Sequence, residues 1–298
     1  MSFGVTGSVM RDQHEQDLIG ASTLYVVATP LGNLGDITLR ALEVLRGVDA
    51  IACEDTRHTR GLLDHYGIRA PTFALHEHNE AAAAQKLVLM LAAGKRVALV
   101  SDAGTPCISD PGARAVAVVR AAGYPVIPLP GANAAIAALS AGGLAESNFL
   151  FAGFLPVKRV ARRQKIEELK SIPASLIFYE APHRIVGAVA DLAELLEPQR
   201  TLVIARELTK LFEQIVTLPL TDAPAWLTAD PNRRRGEFVL LVSAPPPADA
   251  LPAEIKRTLE LLLAELPLKQ AVKLAAQISG RPKNALYELA LAWKHEKL

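Results

Sequence analysis

Cysteine is nearly absent from this chain: Cys53 and Cys107 are the only two in 298 residues. Two thiols cannot form a disulfide framework or a four-thiolate zinc site. No apolar secretory segment opens the sequence, and Arg11, Asp12, Glu15 and Asp17 fall within its first twenty residues, so a reducing cytoplasm is the expected location. Aromatic residues make up 5%, which argues against ring stacking on a single-strand platform as the main binding mode. An excess of one charge is lacking too. Lys plus Arg number 32 against 31 Asp plus Glu, a net charge of +1. This excludes a wholly basic nucleic-acid binder but leaves room for a local basic patch. No apolar run reaches the roughly 18 residues of a membrane span. The longest small-apolar stretch, 131–145, is broken by Asn133, Ser140 and paired glycines. The G-x-G-x-x-G dinucleotide fingerprint and the G-x-x-x-x-G-K-[ST] phosphate loop are both missing, which weighs against a nicotinamide enzyme or an NTPase.

Half of the residues are hydrophobic and 21% are charged, a globular composition, and the length predicts about two domains. β-prone runs at Leu24–Ala28, Asp49–Cys53, Arg96–Val100 and Pro125–Leu129 alternate with helical stretches at 37–46, 56–66, 79–93, 112–122 and 133–139. The alternation predicts βα units on a mostly parallel sheet. Near Glu146 the pattern changes. Strands are expected at Phe149–Phe151, Leu176–Tyr179 and Leu202–Ala205, with Phe212–Leu218 and Glu237–Val242 as an antiparallel edge on a mixed sheet. Pro245–Pro247 then opens a stiff linker. The expected division is a frayed arm (1–20), two α/β domains (21–142 and 143–244), a linker (245–251) and a helical, helix-turn-helix-like tail (252–298).

Ligands of open α/β sheets bind beyond the carboxyl ends of the strands. Three loops rich in Gly and Pro stand there: 28–36 (ATPLGNLGD), 101–112 (SDAGTPCISDPG) and 128–133 (PLPGAN). Such loops turn tightly and let a ligand approach the backbone. The second loop offers carboxylates at Asp102 and Asp110, which suit hydroxyls, an amino group or a positive centre. Glu54, Asp55 and Arg57 follow the second strand, as helix caps or as substrate contacts. Tyr179, Glu180, His183 and Arg184 follow one strand of the second half, and Arg206, Glu207, Leu208 and Lys210 another, with Glu213 just beyond. These are either surface ion pairs or a site.

The motifs ATPLGNLGD, CEDTR, SDAGTP, PGANAA, FYEAPHR and RELTK occur in that order. The chain thereby resembles the tetrapyrrole methylase superfamily, and within it the methyltransferases of small-subunit ribosomal RNA. The resemblance covers about 24–242 and the helical tail. It implies two α/β domains with S-adenosylmethionine in the cleft between them, and a homodimer. It also implies 2′-O-methylation of a cytidine ribose in the decoding region of small-subunit ribosomal RNA, within the 30S particle. Its cofactor positions fall on Leu31, flanked by Pro30 and Gly32, and on Asp102 and Thr105, with Ala103 and Gly104 between them. They continue at Asn133, Ala134, Tyr179 and Leu208.

Methyl transfer to a ribose hydroxyl leaves alignment and one proton to the protein. Glu180 as base or Lys210 as alkoxide stabiliser is expected to handle that proton, with Arg184 and Arg57 on flanking phosphates. Glu54, Asp55, His183, Arg206, Glu207 and Glu213 are candidates for substrate contact. No metal is required. Basic residues crowd 158–165, including Arg162 and Arg163, and recur at Arg233–Arg235, either as solvated faces or as an RNA-facing patch. The tail is basic as well and either packs or helps hold RNA. Two rivals remain at this point. One is a methyltransferase of a small tetrapyrrole-like ring. The other is a non-catalytic nucleic-acid-binding regulator.

Overall fold

The structure is a computed structural model that describes residues 19–246 and 253–296. Most of the expected arm and residues 247–251 of the expected linker lie outside the described residues. The chain divides into two compact units, 1–245 and 246–298.

The first half of the larger unit runs β1 (Leu24–Val27), α1 (Leu39–Gly47), β2 (Ala50–Cys53), α2 (Thr56–His65), β3 (Thr72–Ala74), α3 (Glu80–Ala92), β4 (Val97–Leu99), α4 (Ala113–Ala121), β5 (Val126–Leu129) and α5 (Ala134–Ala141). All five strands are parallel, in the order β3-β2-β4-β1-β5. β3 was not expected; three residues are too short to show an alternation. The order matters for function. β4, β1 and β5 are neighbours, so the three Gly-Pro loops that follow them lie side by side. Helix starts are fixed by side chains: Thr38 Oγ1 accepts from Ala41 N, Asp55 Oδ1 from Arg57 N and Asn133 Oδ1 from Ile136 N. Gly112 precedes α4 at φ +122° and has no side chain to cap with. Glu80 of α3 does so instead: its Oε1 accepts from Gly112 N (3.0 Å), Arg114 N (2.9 Å) and Ala115 N (3.3 Å). This pins the end of the 101–112 loop to α3.

The second half runs β6 (Phe149–Phe154), α6 (Arg159–Leu169), β7 (Ser175–Glu180), α7 (Ile185–Leu195), β8 (Thr201–Arg206), β9 (Gln214–Pro219), α8 (Ala223–Ala229) and β10 (Phe238–Val242). Its sheet is mixed, in the order β6-β7-β10-β8-β9. β10 is therefore central and antiparallel to both β7 and β8, not an edge as expected. The run Phe-Val-Leu-Leu-Val is buried along its whole length, as a strand covered on both faces requires. The period of two sorts the side chains of β7. Leu176 and Phe178 pack with α6, α7 and α8. Ile177 and Tyr179 pack on the other face, against Ala135 and Ala138 of α5. A boundary at 142/143 thus falls after a helix that covers the second sheet, and the two α/β halves form one compact unit.

The smaller unit is α9 (Ala253–Glu265), α10 (Leu268–Ser279) and α11 (Lys283–Glu296) around Leu259, Val272, Ala275, Leu286 and Ala290. Gly280, at φ +66°, ends α10, its N–H donating to Ala276 O. Three residues later α11 begins, giving a helix-turn-helix. Among the described residues no helix is long and apolar enough to cross a membrane.

Candidate active site

The three Gly-Pro loops are tied to one another. Thr29 and Gly104 exchange backbone hydrogen bonds of 2.9 Å in both directions. Thr105 Oγ1 donates to Ala132 O at 2.9 Å. Gly104 sits at φ +79°, where a Cβ would meet Leu31 at 3.2 Å, so a side chain there is both strained and crowded. Above these loops, β7, β8 and β10 of the second sheet end or begin at Glu180, Arg206 and Phe238, which are register partners. Between the two sets of ends lies a cavity of about 280 Å³.

Eight of the expected cofactor positions line it: Leu31, Ala103, Gly104, Thr105, Asn133, Ala134, Tyr179 and Leu208. Tyr179 Oη accepts from Ala135 N at 3.2 Å, joining β7 to the start of α5. Pro30, Gly32 and Asp102 do not line it. One oxygen of Asp102 is engaged elsewhere: its Oδ1 accepts from Asp55 N on the neighbouring loop at 3.1 Å. Gly32 serves indirectly, because Lys210 lies where its Cβ would be, with Cγ at 2.3 Å from that point.

Sequence reading missed several wall residues, among them Ile108, Phe154, Phe238 and Val239. The most consequential wall residue is Asp110, which the sequence offered as a carboxylate beside Asp102 but which the expected cofactor set left out. It lines the cavity and makes no ion pair among the described residues. Burial, reinforced by the charges of Glu54 and Asp102 and opposed by a hydrogen bond from Ser101, pushes its carboxyl up to about 6. Glu54 is raised for the same reasons, burial first and then Asp102. Asp55 instead is held down at about 2 by Arg57, which bridges it at 3.0 Å while staying exposed. Cys107, in the 101–112 loop, packs against the core beneath β4 and α3, and burial pushes its thiol up to about 11.

The expected catalytic residues separate. Lys210 lines the cavity, its Nζ 3.0 Å from Glu207 Oε1 and 2.9 Å from Glu237 Oε2. Burial lowers its pKa, but the bonds to Glu237 and Glu207 outweigh it and raise the balance, so Lys210 is a cation held in place. Glu180 also lines the cavity, at the end of β7 beside Tyr179, but it is 2% exposed. There it accepts from Ala181 N at 2.9 Å and pairs with Arg184 Nε at 3.0 Å. Burial raises its carboxyl against the pull of both partners. Arg184 is engaged in turn, donating to Leu155 O as well, and so braces β6 against β7 instead of facing solvent phosphates. His183 and Glu213 are exposed, and Glu213 accepts from Thr209 N. Arg206 donates to Asn232 O at 2.7 Å.

Arg162 and Arg163 also need correction. Arg162 is 8% exposed, and Asp191 of α7 is the reason. This carboxylate, with a side chain 2% exposed, meets Arg162 at 2.7 Å and Arg159 and Arg163 at 3.2 Å. Arg163 adds a two-pronged contact with Glu194 at 2.7 and 2.9 Å. Three of the five cations at 158–165 are thus the countercharge of a buried acid, and Arg162 is too buried to face RNA.

Strain gathers around the cavity. Among the described non-glycine residues, five have left-handed φ, and Cys107, Ser109, Glu207 and Thr209 are four of them. All four fall in the two loops that face each other across it, where such conformations persist only if the surroundings hold them.

Comparison with known proteins bears on what this cavity holds. Residues 23–224 match the family described as Tetrapyrrole (Corrin/Porphyrin) Methylases, and 249–294 match the RsmI C-terminal HTH domain. The chain is 50% identical over 276 residues to ribosomal RNA small subunit methyltransferase I of Pseudomonas aeruginosa, covering 92% of this chain and 98% of that one. The protein of that name from Vibrio cholerae is 53% identical over 274 residues, covering 91% and 95%. Diphthine synthase has a similar structure, with a TM-score of 0.55 at 18% identity over 74% of this chain and 90% of that one. A uroporphyrin-III C-methyltransferase of Thermus thermophilus, solved with S-adenosylhomocysteine, gives 0.52 at 17% identity over 74% and 96%. At such identities a shared structure speaks for the fold alone.

Proposed function

The chain belongs to the tetrapyrrole methylase family, in the branch of ribosomal RNA small subunit methyltransferase I, and from that premise we propose that it uses S-adenosylmethionine to methylate the ribose 2′-hydroxyl of a cytidine in the decoding region of small-subunit ribosomal RNA. The observation that carries the reading is the makeup of the cavity: a mostly apolar wall, one uncompensated carboxylate at Asp110, and a single ammonium already neutralised by two glutamates. A phosphate-bearing cofactor would want the reverse balance. A ligand with an apolar ring, hydroxyls and a net positive centre fits this one. Leu31, Ala134, Tyr179, Leu208 and Val239 offer the apolar walls, Thr105 and Asn133 polar contacts, and Asp110 the countercharge.

When bound, S-adenosylmethionine supplies a methyl group already activated by its sulfonium. The protein's share is then to align the ribose oxygen and stabilise it as its proton passes to water. Lys210 is the cavity's cation for that oxygen; Glu207 and Glu237 fix where its ammonium stands. Glu54, Asp55, Arg57 and His183, at loops bordering the cleft, remain candidates to touch the RNA. The 30S particle as substrate, a homodimer as the working form and a cytoplasmic location complete the proposal and rest on the family.

The test is label transfer. The protein is incubated with methyl-labelled S-adenosylmethionine and small subunits lacking the modification, and the RNA is digested to nucleosides. The expected result is label on a cytidine ribose. Cofactor bound without any label on RNA would move the acceptor to a small molecule.

A further inference from the structure

The hairpin loop between β8 and β9, residues 207–213, carries two large apolar side chains that are mostly exposed. Leu211 is 89% exposed and Phe212 70%. The exposure is built in and is not that of a loose tip. Lys210 N donates to Glu207 O at 3.0 Å and Glu213 N to Lys210 O at 3.1 Å. Glu237 N donates to Glu207 Oε1 at 2.9 Å, and Leu208 is anchored in the core under α5. Left-handed φ values at Glu207 (+52°) and Thr209 (+66°) show how far the backbone is bent to hold this shape.

The place of the pair gives it meaning. Lys210, the residue before Leu211, is on the cavity wall, so the two exposed apolar residues follow a wall residue directly in the hairpin. Phe154, 52% exposed, also lines the cavity, its ring 5.7 Å from Tyr179. Beside the hairpin lies the turn before β10, tied to it because Arg206 donates to Asn232 O and Arg235 O. In that turn Arg233 stacks on Trp226 at 4.5 Å. Arg234 and Arg235 form no ion pair among the described residues. Exposed apolar side chains one and two residues beyond a wall residue, in a hairpin tied to a turn with unpaired guanidinium groups, complement an unstacked RNA strand, which offers base faces and phosphates together.

We propose that Leu211 and Phe212 form a wedge that stacks on a base beside the methylated nucleotide and keeps the strand open at the cavity mouth, while Arg234 and Arg235 hold the adjoining phosphates. A ribose within folded RNA reaches a closed pocket only if its neighbours are unstacked, and an inserted apolar side chain is a direct way to do so. The proposal rests on RNA being the methyl acceptor.

The experiment compares wild type, Leu211→Ala/Phe212→Ala, Phe212→Trp and Arg234→Ala/Arg235→Ala on small subunits lacking the modification. Cofactor affinity is measured separately without RNA. The wedge predicts that the double alanine variant raises KM for subunits about tenfold or more, the usual effect of losing a stacked base, with cofactor affinity unchanged. Phe212→Trp retains the wild-type KM, and its added tryptophan emission is quenched by subunits. The arginine variant lowers the slope of log affinity against log salt by roughly 1.4, for two phosphates on a single strand. A double alanine variant with wild-type KM overturns the proposal. So does one whose raised KM accompanies a change from dimer to monomer in sedimentation, which would make this surface a contact between copies. If wild type labels no RNA, the acceptor assignment itself fails and the wedge with it.

Discussion

Asp191→Ala destabilises the α/β unit by roughly 3–5 kcal/mol, the usual cost of leaving a buried ionic partner uncompensated. Arg162 is the group left behind: its side chain is 9% exposed, and Asp191 is its ion-pair partner at 2.7 Å. Arg159 and Arg163 retain Glu194 and are more open to solvent, so they add little. The loss appears as a lower midpoint in urea denaturation with little change in slope. Arg162→Met with Asp191→Leu, which removes both charges, recovers most of it; a variant pair as unstable as Asp191→Ala would show that the ion pair is not the cause. The sign of the pH dependence follows from the same contacts. Burial raises the Asp191 pKa, but hydrogen bonds from Arg162, Arg159 and Arg163 prevail and hold it below the ordinary value. Its contribution is therefore complete at neutral pH and is lost as pH falls through and below the ordinary aspartate range.

Affinity for S-adenosylmethionine falls about tenfold between pH 7 and pH 5, and Asp110→Asn abolishes that dependence while weakening binding at pH 7. The Asp110 carboxyl titrates at about 6, so it is about nine-tenths ionised at pH 7 and about one-tenth at pH 5. Only the ionised form offers a countercharge to a cationic ligand. Stability without ligand runs the other way. A carboxyl raised above its unfolded value favours the folded state at low pH, and that contribution is lost as pH rises through about 6. Calorimetric titration of the cofactor across this range, on wild type and Asp110→Asn, separates the two effects. A flat profile in wild type would remove Asp110 as the countercharge.

What the sequence made legible was local. The loops at 28–36, 101–112 and 128–133 announce themselves by Gly and Pro, and their strands by short apolar runs. That they meet follows from the order β4-β1-β5, which a βα pattern allows but does not dictate. Side-chain direction inside the loops was beyond reach. Asp102 and Asp110 look alike in the motif. Their difference arises because Asp55 N, 47 residues from Asp102, captures the first and leaves the second in the cavity. Arg162 misled for a similar reason. In sequence it is one of five cations in eight residues, and the acid that buries it comes 29 residues later. Glu180 shows the same limit: its motif places it at the cavity, where it lies, but says nothing of the Arg184 contact that engages its carboxylate.

Helix α5 carries a consequence for how this enzyme can be recombined. Ala135 and Ala138 are encoded with the first half but complete the core beneath the second sheet. A chimera of two relatives joined at 142 would seat one parent's helix on the other parent's strands and mismatch a close-packed layer. A junction at 132, just before the Asn133 cap, keeps helix and sheet from one parent. The exchangeable module of this architecture therefore begins with a helix and not with a strand, and a library of chimeras would inherit its working members from junctions placed there.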